Sequence, residues 1–206
     1  METYAPTKST LMDAKSSLEF SQKGFDLLDK KRNVLIREMM SYVTKARILQ
    51  QQVNITFAKA YKTLEFANIN SGITYIEDLA MTIEEAKDYE ILFKSVMGVE
   101  VPKIIFQRKE IEPKYGFYRS NASIDEVMKE FNNVKYLTYE LAEVENAVYR
   151  LAMEIKKTQK RANALQNIQI PKFEQIVKFV TEVLEEKERE DFFRLKVVKK
   201  KHKKED

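Results

Sequence analysis

From Leu11 to Thr63 a strict three-four alternation picks out Leu11, Ala14, Leu18, Ser21, Phe25, Leu28, Arg32, Leu35, Met39, Tyr42, Ala46, Leu49, Val53, Thr56, Ala60 and Thr63. Twelve of those sixteen are apolar. The same alternation returns later through Val134, Leu137, Leu141, Val144, Val148, Leu151, Ile155, Thr158, Ala162, Leu165 and Gln169. Apolar residues every 3.5 positions form one stripe on a helix, and a stripe of that length needs a second helix to cover it. The pattern therefore predicts two long helices, N-terminal and C-terminal, in a left-handed antiparallel coiled coil. At about 1.5 Å per residue the first of them is roughly 90 Å long.

Helix breakers divide the chain. Pro6 precedes the first helix, and Asn68, Asn70, Ser71 and Gly72 follow it. Gly72, Gly98, Gly116, Pro102 and Pro113 all fall in the middle, where the chain must turn back. Four segments are expected: a long helix over 1–67, a central segment over 68–120, a second long helix over 121–195 and a basic tail over 196–206. Gly24 is the one internal breaker of the first helix, and it marks either close approach of the partner helix or a tolerated surface position. Ser123-Ile124-Asp125-Glu126 has the spacing of a capping box and signposts the start of the return helix. Pro171 should bend that helix without stopping it, since Phe173, Ile176, Val180 and Val183 resume the apolar pattern. Glu185 with Arg189, and Glu190 with Arg194, stand acid-first at four-residue spacing, as solvated helix support.

Within the central segment, Ile76 to Lys87 reads as a short amphipathic helix. Tyr89, Ile91, Phe93 and Ser95 alternate at period two, which is a strand pattern, and Val99 to Gln107 supplies a second strand. The two form a hairpin with Gly98 at or near the turn. Tyr115 to Arg119 is a competing partner strand, less favoured because the connection is longer. Pro102 demands an edge strand or a bulge. The fold class is mainly all-α, with a small central region containing a short helix and a β-hairpin.

Composition narrows the functions. A third of the 206 residues are charged, and only four are glycine and four proline, as long helices with little loop require. The absence of cysteine removes disulfides and thiolate chemistry and fits a reducing compartment. No apolar stretch approaches the roughly 18 residues of a membrane span, and Met1 to Pro6 lacks the pattern of a signal peptide. The net charge of +4 owes much to Lys196, Lys199, Lys200, Lys201, Lys203 and Lys204. Such a tail is a frayed, solvated end or a segment that seeks acidic surface; nucleic acid is a weaker reading.

Catalysis finds no foothold. No glycine-rich phosphate loop occurs, and the sole histidine, His202, sits among lysines without a paired acid or nucleophile. No cofactor is expected, and no catalytic or metal site.

The residues themselves carry more than the pattern. Pro6-Thr7-Lys8-Ser9-Thr10-Leu11, Gly24-Phe25-Asp26-Leu27-Leu28-Asp29-Lys30-Lys31-Arg32, the run from Met97 to Pro102, Thr158-Gln159-Lys160-Arg161-Ala162-Asn163-Ala164-Leu165, Ile170-Pro171 and Glu188-Arg189-Glu190-Asp191-Phe192-Phe193-Arg194-Leu195 occur in order along the whole chain. In these motifs the chain resembles the D subunits of the V-type (A/V-type) ATP synthases. That resemblance implies a non-catalytic central rotor shaft that transmits torque between a catalytic ring and an ion-translocating rotor. It also implies the partners: the F subunit of the central stalk, the A and B subunits of the ring, and a membrane-rotor connecting subunit of the C/d type, with no nucleic acid and no direct membrane insertion. The location implied is the cytoplasmic face of the cell membrane. An interaction role passes to Met97, Gly98, Val99 and Pro102, in the hairpin that the family uses to stimulate hydrolysis. The rival reading is a stand-alone coiled-coil adaptor or export chaperone.

Overall fold

A computed structural model describes residues 5–83, 87–108, 115–116 and 120–205, with side chains described as far as Lys200. Helix α1 spans Lys8–Ser71 and α2 spans Ile73–Met81. Strands β1 (Tyr89–Val96) and β2 (Val99–Phe106) follow, then α3 (Ala122–Ala164), a π-helical turn (Leu165–Gln169) and α4 (Ile170–Glu205). The protein is thus mainly α-helical with one central antiparallel hairpin, as the hydrophobic pattern predicts.

Two compact units can be distinguished. One comprises the chain up to Asn33 together with the residues from Lys156 onward; the other is Val34–Ile155. In the first, the start of α1 is capped by Thr7, whose Oγ1 accepts from the Thr10 amide at 3.1 Å. Lys8 pairs with Glu188 at 3.5 Å and Arg32 donates to Gln159 at 2.6 Å, so low numbers on α1 meet high numbers on the return helix. In the second unit Lys59 reaches Glu130 at 2.8 Å in the same antiparallel sense. Both units pack their helices along the apolar stripe. Every position of the first alternation, from Leu11 to Thr63, is buried or half-buried.

Arg32 is the charged residue within that stripe. Its guanidinium pairs with Asp29 at 2.6 Å on its own helix and donates to Gln159 across the pair. A polar group in a seam fixes register because any slip leaves it unpaired. Gly24 also resolves: a Cβ there would lie 3.5 Å from Leu165 Cδ1, so the glycine sits at a close approach of the two helices.

The core of the second unit gathers Leu35, Ala147 and Leu151 from the helices with Val99 and Val101 from β2, flanked by Met39, Tyr42, Val96 and Ile155. Alternation explains the hairpin's contribution. Val99 and Val101 point to the same side of β2, with Val96 beside Val99 on β1, so these three valines next to the turn pack on the helices, while Lys94 opposite Val101 stays exposed.

Several boundaries differ from expectation. Asn68, Asn70 and Ser71 remain helical, and only Gly72, at φ 86°, breaks α1. Because glycine tolerates positive φ, α2 restarts at once at Ile73 and ends at Met81, earlier than the 76–87 range; residues 84–86 lie outside the described ones. The capping box does not form. Helix α3 begins at Ala122, one residue before Ser123, and Ser123 Oγ has no hydrogen-bond partner among the described residues. Placed inside the first turn, the hydroxyl no longer faces the free amides that a capping residue serves. The amide of Ile124 bonds the Asn121 carbonyl instead, at 2.9 Å. The lysine-rich tail continues α4 as helix through Glu205. Of the competing strand Tyr115–Arg119, residues 117–119 lie outside the described ones, and β1 pairs with β2.

Candidate functional site

The hairpin turns on two residues. Met97 (φ 53°) and Gly98 (φ 80°) both occupy the left-handed region, the signature of a type I′ turn, whose twist matches that of the flanking strands. Glycine adopts this conformation freely. Methionine does not, and its side chain is nevertheless half exposed at the tip.

Turn geometry also settles Pro102. Residues flanking a two-residue turn exchange both ladder bonds, and hydrogen-bonded pairs then alternate with non-bonded ones. From Val96–Val99 the count places Phe93–Pro102 at a non-bonded pair, so the missing proline amide costs the ladder nothing. At such positions the backbone groups of β2 face away from β1. Two of them are met by α3: the Ile104 amide donates to Glu143 Oε2 at 2.7 Å, and Arg150 donates to the Glu100 carbonyl at 3.1 Å. Helix α3 thereby closes the outer edge of β2, and the Arg150 guanidinium also lies 5.1 Å from the ring centre of Phe93.

The base of the hairpin is pinned by Asp88. Its carboxylate takes Lys135 Nζ at 2.6 Å and the Tyr139 hydroxyl at 3.0 Å. The hydrogen bond from Lys135 holds the Asp88 carboxyl below its ordinary range against the opposing cost of burial. Burial, then the hydrogen bond to Asp88, pushes the Tyr139 phenol up to about 12. Tyr89, Phe106, Tyr136 and Tyr139 stack around this ion pair with ring centres 5.2 to 6.1 Å apart. At the start of α3, Tyr115 donates to Asp125; burial and then that bond lift its phenol to about 12 as well.

The four expected interaction residues now have places. Met97 and Gly98 are exposed at the tip, Val99 is buried in the core against Leu35 and Leu151, and Pro102 is half-buried. Strand β1 is exposed along almost its whole length, with Tyr89, Ile91, Leu92 and Phe93 presented to solvent. What sequence reasoning missed is the α3 strip of Lys135, Tyr139, Glu143 and Arg150 that mounts the hairpin. Its spacing of four, four and seven places all four on one helix face, a signal present in the sequence but without meaning until the hairpin's location is known.

A second exposed surface lies on α4, where residues 185–200 are all exposed, including Phe192, Phe193, Leu195, Val197 and Val198. Among the described residues no group of three or more His, Cys, Asp or Glu side chains is arranged to hold a metal ion. No described helix is long and apolar enough to cross a membrane.

Comparison with known proteins gives this arrangement a context. A sequence model of the ATP synthase D-subunit family matches residues 10–200. The D subunit of the V-type ATP synthase of Thermotoga neapolitana is 44% identical over 97% of this chain and 98% of its own length. The D subunits of the A-type ATP synthases of Thermococcus sibiricus and Thermococcus gammatolerans are 36% and 39% identical, each over 94% of this chain and 92% of their own length. On the strength of a match running through both long helices and the hairpin between them, the chain belongs to the family of ATP synthase D subunits.

Proposed function

We propose that this chain is the central rotor shaft of a V/A-type rotary ATPase, a non-catalytic subunit that carries torque between the catalytic A/B ring and the ion-translocating rotor. The observation that carries the reading is the seam: every position from Leu11 to Thr63 is covered, while the outer faces of the same helices stay exposed and mix charged residues with apolar ones. Two helices interlocked in this way resist relative twist, because slip lifts side chains from the holes they fill. Charged outer faces give many individually weak contacts, so a surrounding ring grips the shaft at no single angle. The terminal helices enter the ring, and the exposed apolar residues of α4 are the contact surface there. Ile48, Ile55 and Ile69 are exposed at multiples of seven residues and lay a second apolar stripe on α1, where the F subunit of the stalk docks. A connecting subunit of the C/d type binds the central segment, which places the chain at the cytoplasmic face of the cell membrane. Family membership disfavours the stand-alone adaptor or export chaperone.

The absence of native cysteine allows a direct test. A Gln107→Cys variant in the assembled complex is labelled with a gold particle at its one thiol. Stepwise, one-directional rotation on addition of ATP is expected, whereas a stationary particle on a complex that still hydrolyses ATP overturns the reading.

The hairpin tip has its own role: Met97 contacts a partner and stimulates hydrolysis. A strained left-handed methionine, where asparagine or glycine is cheaper, is a residue kept for its side chain. Replacing Met97-Gly98 by Asn-Gly preserves the turn and removes the thioether chain, so assembly should persist while ATP turnover drops. Unchanged turnover removes the tip from the mechanism.

A further inference from the structure

The heptad count fails at one place. Continued beyond Leu165, the strict alternation selects Gln169, Lys172, Ile176 and Phe179, and all but Ile176 are exposed. Their C-terminal neighbours Ile170, Phe173, Val177 and Val180 are covered instead, Val180 completely. The stripe has moved by one residue. On a continuous α-helix one extra residue would rotate everything after it by about 100°, and the apolar face would leave its partner. The rotation is absorbed between Leu165 and Gln169, where the chain forms a π-helical turn and the Ile170 amide bonds the Leu165 carbonyl five residues back.

Pro171 explains why the extra residue sits there. Proline has no amide to give the carbonyl of Asn167, and its ring displaces that carbonyl, so the α-helical ladder is already interrupted at this step. A widened turn costs less there than elsewhere. Gln166, Asn167, Ile168 and Gln169 are all exposed, so little packing holds the turn closed. Opposite Leu165 the facing residue is Gly24, the thinnest surface α1 can offer.

We propose that the π-turn stores one residue in excess of the heptad repeat, pinned by Pro171, and is the point at which this long helix opens and twists locally. It is a conformational device of the chain and stands without the shaft reading, since it is measured on the isolated protein. A helix of interlocked seams is stiff; a single turn with a ladder bond missing at Pro171 and exposed side chains concentrates its compliance.

Amide hydrogen exchange on the full-length chain tests this. Amides from Gln166 to Lys172 should exchange at least about tenfold faster than those of Thr158–Ala164 and Val177–Thr181. Deleting Gln169 returns the stripe to strict alternation but leaves Pro171 in place, so the fast window should shrink to the step at which Pro171 has no amide to give. Uniform protection across 158–181 in the wild-type chain, or a fast window of unchanged width after the deletion, overturns the proposal. A Pro171→Ala variant keeps the length and gives an independent readout should the deletion disturb folding. With the pin removed the π-turn can migrate, and the fast window should broaden beyond Gln166–Lys172; a window of unchanged position and width refutes the pinning.

Discussion

Met97 holds φ at 53°, a conformation that costs an ordinary side chain about 1–2 kcal/mol. Met97→Asn should therefore stabilise the chain by about 1 kcal/mol in urea unfolding, since asparagine tolerates this region. A loss of stability would mean that the exposed thioether packs on the hairpin and would contradict the strain argument. Leu35 is the opposite case, fully buried in the core of the second unit. Leu35→Ala should cost about 2–5 kcal/mol, and Leu35→Asp more, because an unpaired carboxylate has no partner there. Val148→Asp should cost less than Leu35→Asp, since Val148 is half-buried and the carboxylate can reach water. Equal unfolding midpoints for the two aspartate variants would count against the burial difference as the cause. The residues of the seam were legible in the sequence because period alone identifies them. Val99 was not: the resemblance marked it for contact with partners, yet its place on the inner face of β2 follows from register, which pairing with β1 decides.

The hairpin stays on α3 through polar contacts whose charge states set a pH window. Asp88 is lowered in the folded chain, so its contribution is complete above the ordinary carboxylate pKa and is lost as pH falls through the depressed folded value. Tyr139 is raised to about 12, so its contribution is complete below the ordinary phenol pKa of about 10 and is lost as pH climbs through the folded value. The base of the hairpin should remain anchored between those limits and loosen outside them, as read by exchange of the Tyr89–Phe106 amides. Loosening near neutral pH would show that other groups control it. Asp88→Asn should remove the acid limb of that profile and cost about 1.5–3 kcal/mol at neutral pH, the usual size for a hydrogen bond to a charged group. Strand alternation and the breaker at Gly98 located this element in the sequence to within a residue. Its mounting on Lys135, Tyr139, Glu143 and Arg150 was not legible, because those contacts join residues some 39 to 51 positions apart.

For the whole molecule the division is between surface that packs within the chain and surface left for partners. Residues 185–200 of α4 are exposed; Glu188, which reaches Lys8, stays in a chain ended after Glu190, and the ion pairs beyond it, Arg194 with Glu190 at 3.5 Å and with Asp191 at 3.7 Å, are local to the helix. Ending the chain after Glu190 should therefore shift the melting temperature of the isolated protein by no more than about 2 °C. The same truncation should reduce incorporation into the ATPase ring, since Phe192, Phe193 and Leu195 leave with it. A marked fall in melting temperature would show that this segment packs on its own chain.

The sequence alone determined the helices, the two strands with a glycine at or near their turn, and the family resemblance, because each rests on period, local turn chemistry or ordered motifs. The long helices needed no tertiary information: a stripe at 3.5 residues runs along one face of a helix and must be covered. Tertiary structure decided what depends on distances between segments. It turned Gly24 from an ambiguous breaker into a close approach against Leu165, and found Arg32 its partners in Asp29 and Gln159. It closed one edge of the hairpin and left β1 open. It also showed that the resumed pattern after Pro171 is one residue out of phase. A helix can absorb an extra residue at any of several turns, and only packing against a second helix selects which face must remain covered.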